Sequence, residues 1–227
     1  MEEMDNGINI LDIEIQPCFA KEALKKAITY METDPVSVIR MVTATELMNL
    51  NEDVRCKEIL KESDMILSGD GLVLEAASIR ERRVLQETEE KTFLKMFFRY
   101  LHKKHARVYV LAQTRKEAED CCRYLKRKYG GIQLLEDVGV TEEAGADDRL
   151  VNAINGQEAD CVISLLPSPL QESFLCTNRD RLDVRIWLGA GESLRSIARK
   201  SKPGPVGRFI IKHIFKKELE KSSKEDS

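Results

Sequence analysis

The chain has 227 residues, of which 42% are hydrophobic and 33% charged, and its formal net charge is −3 at pH 7. These values suit a globular protein made of one domain, or of one domain with an appendage, and they exclude a disordered or fibrous chain. The small negative net charge also argues against binding to nucleic acid.

The first strand and helix patterns follow one another closely. Residues 8–15 are rich in β-forming side chains, and residues 19–31 carry apolar side chains at helical spacing. Residues 37–42 predict a buried strand, and a helix is expected from Thr43 to about residue 61. Thr43 and Glu46 have the spacing of a capping box, which by itself explains this threonine as a helix cap.

The most informative stretch is residues 63–77. A short apolar run is followed by Gly69, Asp70 and Gly71 and then by a helical pattern, which together predict a strand, a tight loop and a helix. In open α/β sheets the loops at the carboxyl ends of strands bind ligands, and glycines there let the backbone come close to them. Asp70 is therefore a candidate functional carboxylate, although an aspartate before a helix often serves only as its N-cap.

The rest of the chain repeats the alternation. After a charged stretch at residues 80–91, for which no element is predicted, a helix is expected at 92–104 and a strand at 107–112. Thr114 is expected to cap the next helix, which ends near Tyr129. Further strands are predicted at 132–135, 160–166 and 184–188, with a helix around Leu150 and Ile154. This βα repeat with short connections predicts a Rossmann-like α/β fold, with a mostly parallel sheet and helices on both faces.

Two later loops also carry candidate chemistry. Ser168, Pro169 and Gln171 have the spacing of an N-cap, a first helical position and a capping-box partner. The segment Gly189-Ala190-Gly191 opens a helix whose free amides could hold a phosphate, although Glu192 at the helix start would repel an anion. Each of these loops, taken alone, has a purely structural explanation.

The cysteines and the amino terminus bear on the compartment. The six cysteines form no CxxC pair and have no histidines at zinc-site spacing, so free thiols in a reducing compartment are expected. The first five residues are acidic and lack the order of a signal peptide, in which a basic segment precedes an apolar one. No apolar run approaches the roughly 20 residues of a membrane span. A cytoplasmic protein is therefore predicted.

The carboxyl-terminal segment is basic and amphipathic. We divide the chain into an α/β domain at residues 1–198 and an appendage at residues 199–227. The basic side chains that precede the first acid, Glu218, are Arg199, Lys200, Lys202, Arg208, Lys212, Lys216 and Lys217, and the apolar side chains among them are Phe209, Ile210, Ile214 and Phe215.

Such a segment suits an anionic membrane surface, where each Lys or Arg contributes about 1 kcal/mol when it lies close. The alternative is a helix that docks its apolar face on the domain or on another subunit, so homo-oligomerisation stays open. The segment at 195–217 could also close over a site and bring the basic side chain of Arg208 to it.

The loops in this order resemble the WecG/TagA/CpsF family of bacterial glycosyltransferases over about residues 8–217. The segment Asp64-Met65-Ile66-Leu67-Ser68-Gly69-Asp70-Gly71 is similar to the family's aDlvlpDGxG pattern, and Ser168-Pro169-Leu170-Gln171-Glu172 is similar to GSPkQE. The segment Asn178-Arg179-Asp180-Arg181-Leu182 and the loop at Gly189 add to the resemblance.

The resemblance implies an inverting transfer of an N-acetylhexosamine, often N-acetylmannosamine, from a UDP-sugar to a polyprenyl-diphosphate-linked sugar. Teichoic acid linkage units and other cell-surface polysaccharides are made this way, by proteins peripheral on the inner face of the cell membrane. Asp70 corresponds to the family's proposed base, and Thr43 and Gln171 to polar residues of its pocket. No Asp-x-Asp metal motif is present and the family is thought to work without one, so neither a metal nor a cofactor is expected. The expected substrate-binding residues are Thr43, Thr45, Gly71, Gln171, Glu172, Gly189, Gly191 and Arg208.

The chain also departs from the family pattern. Thr45 stands where the family usually has Asn, and Ala112-Gln113 stand where it commonly has Gly-Gly. Residues 191–195 and 83–87 likewise lack the family's Gly-Gly-x-Phe-Asp and Thr-Gly. These losses leave a second hypothesis open, a catalytically inactive homologue that acts as a binding or scaffold protein in the same pathway. A nucleotide-cofactor oxidoreductase ranks below both, because no GxGxxG follows the first strand.

Overall fold

The computed structural model describes residues 7–135, 139–140, 148–199 and 204–225. Within these ranges strands alternate with helices. The strands are β1 (Ile8–Ile10), β2 (Ile13–Ile15), β3 (Ser37–Val42), β4 (Met65–Ser68), β5 (Arg107–Ala112), β6 (Gln133–Leu134), β7 (Gly139–Val140), β8 (Cys161–Ser164) and β9 (Ile186–Gly189). The helices are α1 (Ala20–Tyr30), α2 (Ala44–Asn51), α3 (Val54–Lys61), α4 (Gly71–Ala76), α5 (Arg82–Glu89), α6 (Thr92–Lys104), α7 (Arg115–Lys128), α8 (Asp148–Gly156), α9 (Leu170–Asn178), α10 (Gly191–Arg199) and α11 (Pro205–Glu225), with a short 3₁₀ helix at Arg179–Arg181.

The main sheet has the strand order β4-β3-β9-β8-β5-β6, and β7 also pairs with β5. Every described pair in this sheet is parallel, which confirms the predicted α/β architecture. In the register of β3, Val42 lies level with Ser68, and Arg40 lies level with Gly189. Because parallel strands end at one edge of a sheet, the loops after β3, β4, β8 and β9 lie side by side there.

Alternating strand residues pack against different helix layers. On one face, side chains such as Ile39, Val110 and Ile163 pack with α1, α6, α7 and α10. On the other face, side chains such as Tyr109 and Trp187 pack with α8 and α9. A third cluster joins β1, β2, α2, α3 and α11 around the edge of the sheet at β3 and β4. Burial on both faces is what the apolar strand runs of a parallel sheet require.

Three segments differ from the sequence predictions. Residues 8–15 form a hairpin rather than one strand, because Leu11 and Asp12 adopt φ values of 52° and 64°, as a two-residue hairpin loop requires. The helix predicted at 43–61 is split into α2 and α3, because the Asp53 carboxylate accepts the Cys56 N–H at 3.0 Å and starts a new helix. Residues 80–91, for which no element was predicted, contain α5.

The predicted capping box at Ser168 is wrong. Helix α9 begins at Leu170 after a cis peptide bond between Ser168 and Pro169, and Pro169 makes no side-chain cap. The Ser168 hydroxyl instead donates to the Glu172 carboxylate at 3.0 Å. The caps predicted at Thr43 and Thr114 are confirmed, since each hydroxyl accepts the N–H of the residue three positions on.

The carboxyl-terminal helix α11 packs on the domain. Phe215 is 2% exposed and lies in the third cluster with Leu47 and Leu50 of α2. The Asn51 amide donates to the Glu218 carboxylate at 3.0 Å, which adds a polar contact. The basic tail residues Lys200 and Lys202 lie outside the described residues.

Candidate active site

A cleft of about 470 Å³ lies at the carboxyl edge of the sheet. Its walls come from the loops after β3, β4 and β8, from the connection between α5 and α6, and from α10 and α11. The volume falls within the range of small-molecule sites in proteins. Of the residues predicted from the sequence, the cleft brings together Thr43, Thr45, Asp70 and Arg208.

Asp70 is half-buried on the wall of the cleft, immediately after β4. One carboxylate oxygen accepts the N–H groups of Leu72 at 3.0 Å and Val73 at 3.2 Å, and the other accepts the Ala44 N–H at 3.1 Å. The predicted N-cap is therefore confirmed. An ionised carboxylate has about four acceptor positions, so these three bonds leave room for a ligand hydroxyl. Capping and catalysis are compatible in this geometry.

Burial is the main influence on the charge of Asp70, and it raises the pKa of this carboxyl above the ordinary aspartate value. The N–H groups of Ala44 and Val73 and the charge of Lys91 act in the opposite direction, while Glu89 adds to the rise. A carboxylate with a raised pKa binds a proton more readily than a solvent-exposed one, which suits a proton acceptor.

Thr43 and Glu46 form a reciprocal cap beside Asp70. The Thr43 hydroxyl accepts the Glu46 N–H at 3.3 Å and donates to the Glu46 carboxylate at 2.9 Å, which also accepts the Thr43 N–H at 3.0 Å. Burial raises the pKa of Glu46. Thr45 is exposed on the next helical position and also lines the cleft. These contacts hold the Thr43 hydroxyl in one orientation at the cleft wall.

The charged residues that hold the Asp70 loop were not predicted from the sequence. The Glu89 carboxylate accepts the Gly71 N–H at 3.0 Å, and the Lys91 ammonium donates to the Gly69 carbonyl oxygen. The Ser193 hydroxyl donates to the same carbonyl oxygen at 3.1 Å. Glu89 and Lys91 come from the charged stretch at residues 80–91, for which no element was predicted, and only tertiary contacts identify them.

Arg208 reaches the cleft from α11. Its Nη2 lies 3.0 Å from a Glu89 carboxylate oxygen and 3.4 Å from one of Glu75. Lys212, one turn further along α11, lies 2.7 Å from the other oxygen of Glu75. The basic face of α11 is thus directed at the carboxylates that border the Asp70 loop.

Gln171 and Glu172 lie behind the cleft wall rather than on it, and both are fully buried. The Gln171 side chain accepts the Trp187 indole N–H at 3.1 Å and donates to the Leu166 carbonyl at 3.5 Å. Glu172 pairs with Arg40 at 2.5 Å. In this structure both side chains support the loop after β8.

The predicted glycines are sites of close packing. A Cβ atom at Gly189 would lie 2.6 Å from Arg40 Cδ and 2.6 Å from Gln171 Oε1. At Gly191 it would lie 3.2 Å from the Leu166 carbonyl oxygen, and at Gly71 it would lie 2.6 Å from Glu89 Oε1. Gly189 is therefore needed because a larger residue there would clash with the buried side chain of Arg40.

The charged side chains at the start of α10 form ion pairs. Arg195 Nε lies 3.1 Å from the Glu117 carboxylate, and its Nη1 lies 3.5 Å from that of Glu192. Arg195 Nη2 donates to the Leu165 carbonyl at 2.5 Å. Glu192, which the sequence suggested would repel an anion, therefore has an adjacent cation.

The outer face of α11 is apolar at its start. Val206, Phe209, Ile210 and Ile214 are between 51% and 72% exposed and recur at helical spacing. One face of the helix is docked on the domain, as one of the two expectations for this segment requires, while the membrane contact stays a prediction for the exposed face. None of the helices in the described ranges has both the length and the hydropathy that a bilayer crossing needs.

The described residues also include no group of three or more His, Cys, Asp or Glu side chains placed to hold a metal ion.

The chain is similar to a known protein family and to a curated protein. Residues 8–207 match the model of a family described as "Glycosyl transferase WecG/TagA/CpsF family". A protein of Staphylococcus aureus (strain MRSA252), named N-acetylglucosaminyldiphosphoundecaprenol N-acetyl-beta-D-mannosaminyltransferase, is 20% identical over 221 residues, which are 96% of this chain and 84% of that protein.

Proposed function

The chain belongs to the WecG/TagA/CpsF family of glycosyl transferases, and we propose that it transfers an N-acetylhexosamine from a UDP-sugar to a polyprenyl-diphosphate-linked sugar. The family match covers most of the chain, and the name of the Staphylococcus aureus relative specifies a mannosaminyl group and a diphosphoundecaprenol-linked acceptor. N-acetylmannosamine is therefore the sugar that we propose. The product would serve the synthesis of a cell-surface polymer.

The observation that carries this proposal is the position of Asp70. Its carboxylate stands at the end of β4, is oriented by three backbone N–H groups, and retains an acceptor position on the wall of the cleft. A general base needs this combination of a fixed orientation and access to the substrate. We assign Asp70 as the base.

In the proposed reaction the acceptor hydroxyl oxygen attacks the anomeric carbon of the donor from the face opposite UDP. The new carbon–oxygen bond forms as the bond to the UDP oxygen breaks, so the anomeric configuration is inverted. The hydroxyl proton passes to Asp70, and UDP leaves with the electron pair of the broken bond. Thr43 and Thr45 lie on the same wall and would orient the sugars by hydrogen bonds.

Arg208 is the residue that we assign to the diphosphate. Guanidinium groups bind phosphate oxygens through paired N–H donors. Its side chain is 44% exposed at the cleft, and ion pairs with Glu75 and Glu89 hold it there. We propose that this cation, with no metal ion, stabilises the negative charge of departing UDP.

The exposed face of α11 supports a location on the inner surface of the cell membrane. Val206, Phe209, Ile210 and Ile214 offer apolar side chains, and the exposed Lys216 and Lys217 follow along the same helix. Amphipathic helices with this composition bind anionic bilayers through both features. The helix that contacts the membrane would then also carry Arg208 into the cleft.

The first test is UDP release from UDP-N-acetylmannosamine and from UDP-N-acetylglucosamine, with a soluble polyprenyl-diphosphate-sugar analogue as acceptor. We expect release by the wild type and a loss of roughly a hundredfold or more for Asp70→Asn, because the amide does not accept the proton. Arg123→Met, which changes an exposed side chain on α7, is the matched control and should retain full activity.

If the wild type neither releases UDP from these donors nor binds UDP, the transferase proposal fails and the scaffold hypothesis is favoured. Full activity of Asp70→Asn would instead exclude this residue as the base.

The membrane assignment has its own test, sedimentation with vesicles of phosphatidylcholine with and without phosphatidylglycerol. Replacing Phe209 and Ile210 together by Ser should weaken binding to anionic vesicles by roughly tenfold or more, because two large apolar side chains no longer leave water. Val54→Ser is the control, since Val54 is 73% exposed but lies on α3. Equal binding by the double variant and the wild type would remove α11 as the membrane contact.

A further inference from the structure

Lys91 has an unusual backbone conformation at the cleft. It is the N-cap of α6, with φ of 55° and ψ of 42° in the left-handed region, and it makes no side-chain cap. Residues other than glycine seldom adopt this region, and at Lys91 no hairpin loop of the kind at Leu11 and Asp12 accounts for it. A lysine here therefore needs an explanation beyond helix capping.

The side chain of Lys91 supplies one. It is only 8% exposed, lines the cleft, and donates from Nζ to the Gly69 carbonyl oxygen. The Ser193 hydroxyl donates to the same oxygen at 3.1 Å, and the Gly69 N–H donates to the Val42 carbonyl at 2.6 Å. Gly69, immediately before Asp70, is thus held at its carbonyl oxygen by the N-cap residue of α6 and by α10, and at its N–H by β3.

We propose that Lys91 is a positioning residue for the transfer reaction, whose ammonium group holds the Gly69 carbonyl and so fixes the loop that presents Asp70 to the substrate. This inference rests on the proposed function, in which Asp70 is the base. Lys91 acts through the loop and through its charge.

The charged surroundings of Asp70 define what the loss of Lys91 should do. Glu89 at the end of α5, Arg208 from α11 and Glu46 from α2 border the same cleft, as do Glu192 and Arg195 from α10. Among the influences on Asp70, burial and Glu89 raise its pKa, and the charge of Lys91 lowers it. Without the charge of Lys91, less offsets the effects of burial and of Glu89, so the pKa of Asp70 rises. A base works only when it is deprotonated, so the acid limb of the rate profile moves to higher pH.

Two variants separate position from folding. Lys91→Met keeps the length of the side chain and removes its charge. Lys91→Gly also removes the side chain, but at a φ of 55° that glycine adopts readily, so the backbone conformation is retained. Lys91→Arg keeps the charge, and Lys103→Met removes an exposed lysine from the far end of α6 as the control.

The experiment combines an NMR titration of the Asp70 carboxyl carbon with the pH profile of kcat/KM. For Lys91→Met and Lys91→Gly we expect the Asp70 titration and the acid limb to move to higher pH, and kcat to fall about tenfold to a hundredfold with a smaller change in the donor KM. Lys91→Arg should restore the wild-type titration, and Lys103→Met should match the wild type throughout.

An Asp70 titration and a kcat that are unchanged in both Lys91→Met and Lys91→Gly would overturn the proposal. A fall in kcat without movement of the Asp70 titration would also overturn it, because it would indicate a structural role alone. The titration requires no turnover. If the wild type proves inactive, the proposed function fails. A shifted Asp70 titration in the folded variants would still support the contact by which Lys91 acts on the Asp70 loop.

Discussion

Arg40 and Glu172 are charged side chains buried beneath the cleft, at 1% and 0% exposure. Their ion pair spans 2.5 Å, and Glu172 Oε1 also accepts the Ser168 hydroxyl. Arg40 Nε and Nη2 and Glu172 Oε2 have no partner within the part of the chain that the structure describes, so the pair is strongly desolvated and incompletely bonded. Such a pair contributes little net stability, but each charge depends on the other. Its structural effect is to tie the Ser168 loop to the middle of the sheet.

We therefore predict that Arg40→Met lowers the free energy of unfolding by about 3–5 kcal/mol, because it leaves the Glu172 charge buried without its partner. The measurement is chemical denaturation of each variant. Arg123→Met breaks an exposed ion pair with Asp120 and should change stability by about 1 kcal/mol or less. Replacing Arg40 and Glu172 together by Met and Leu should restore much of the loss, and a double variant no more stable than Arg40→Met would contradict this account.

Helix α11 has faces with different surroundings. One face carries Phe215 into the core beside α2 and brings Arg208 to the carboxylates of Glu75 and Glu89. Another face leaves Phe209 71% exposed. The helix that lines the cleft therefore also presents an exposed apolar surface.

We predict that Phe215→Ala weakens the docking of α11 by roughly 3–5 kcal/mol, since it leaves a cavity where a buried ring was. Amide hydrogen exchange along α11 should become faster, and UDP should bind more weakly because Arg208 is no longer held at the cleft. Phe209→Ala provides the comparison and should leave both properties within a small margin of the wild type. Unchanged exchange in Phe215→Ala would show that α11 is held by its ion pairs instead.

At the scale of the whole molecule, the order of the strands in the sheet brings the residues of the cleft together. Strand β3 lies between β4 and β9, and β8 follows, although β4 and β8 are separated by nearly a hundred positions in the chain. Their parallel direction sends Thr43, Asp70, Ser168 and Gly191 to one edge. The departures from the family pattern, such as Thr45 and Gln113, are spread over this same edge and do not interrupt the sheet beneath it.

The sequence by itself determined the alternation of strands and helices, the family resemblance, and the caps at Thr43, Asp70 and Thr114. These features depend on apolar periodicity and on hydrogen bonds to the next few residues, which a linear pattern records. It did not determine the hairpin at residues 8–15, because the left-handed turn at Leu11 and Asp12 lacks the usual glycine.

Only the tertiary structure decided which polar residues face the cleft. Lys91 meets Gly69 across 22 positions, and Arg40 meets Glu172 across 132, so no local pattern connects them. Gln171 and Glu172 belong to a recognisable motif, yet packing against Trp187 and Arg40 buries both behind the wall. Long-range contacts of this kind follow from how the elements pack, because burial and charge pairing are properties of the assembled layers and not of any one segment.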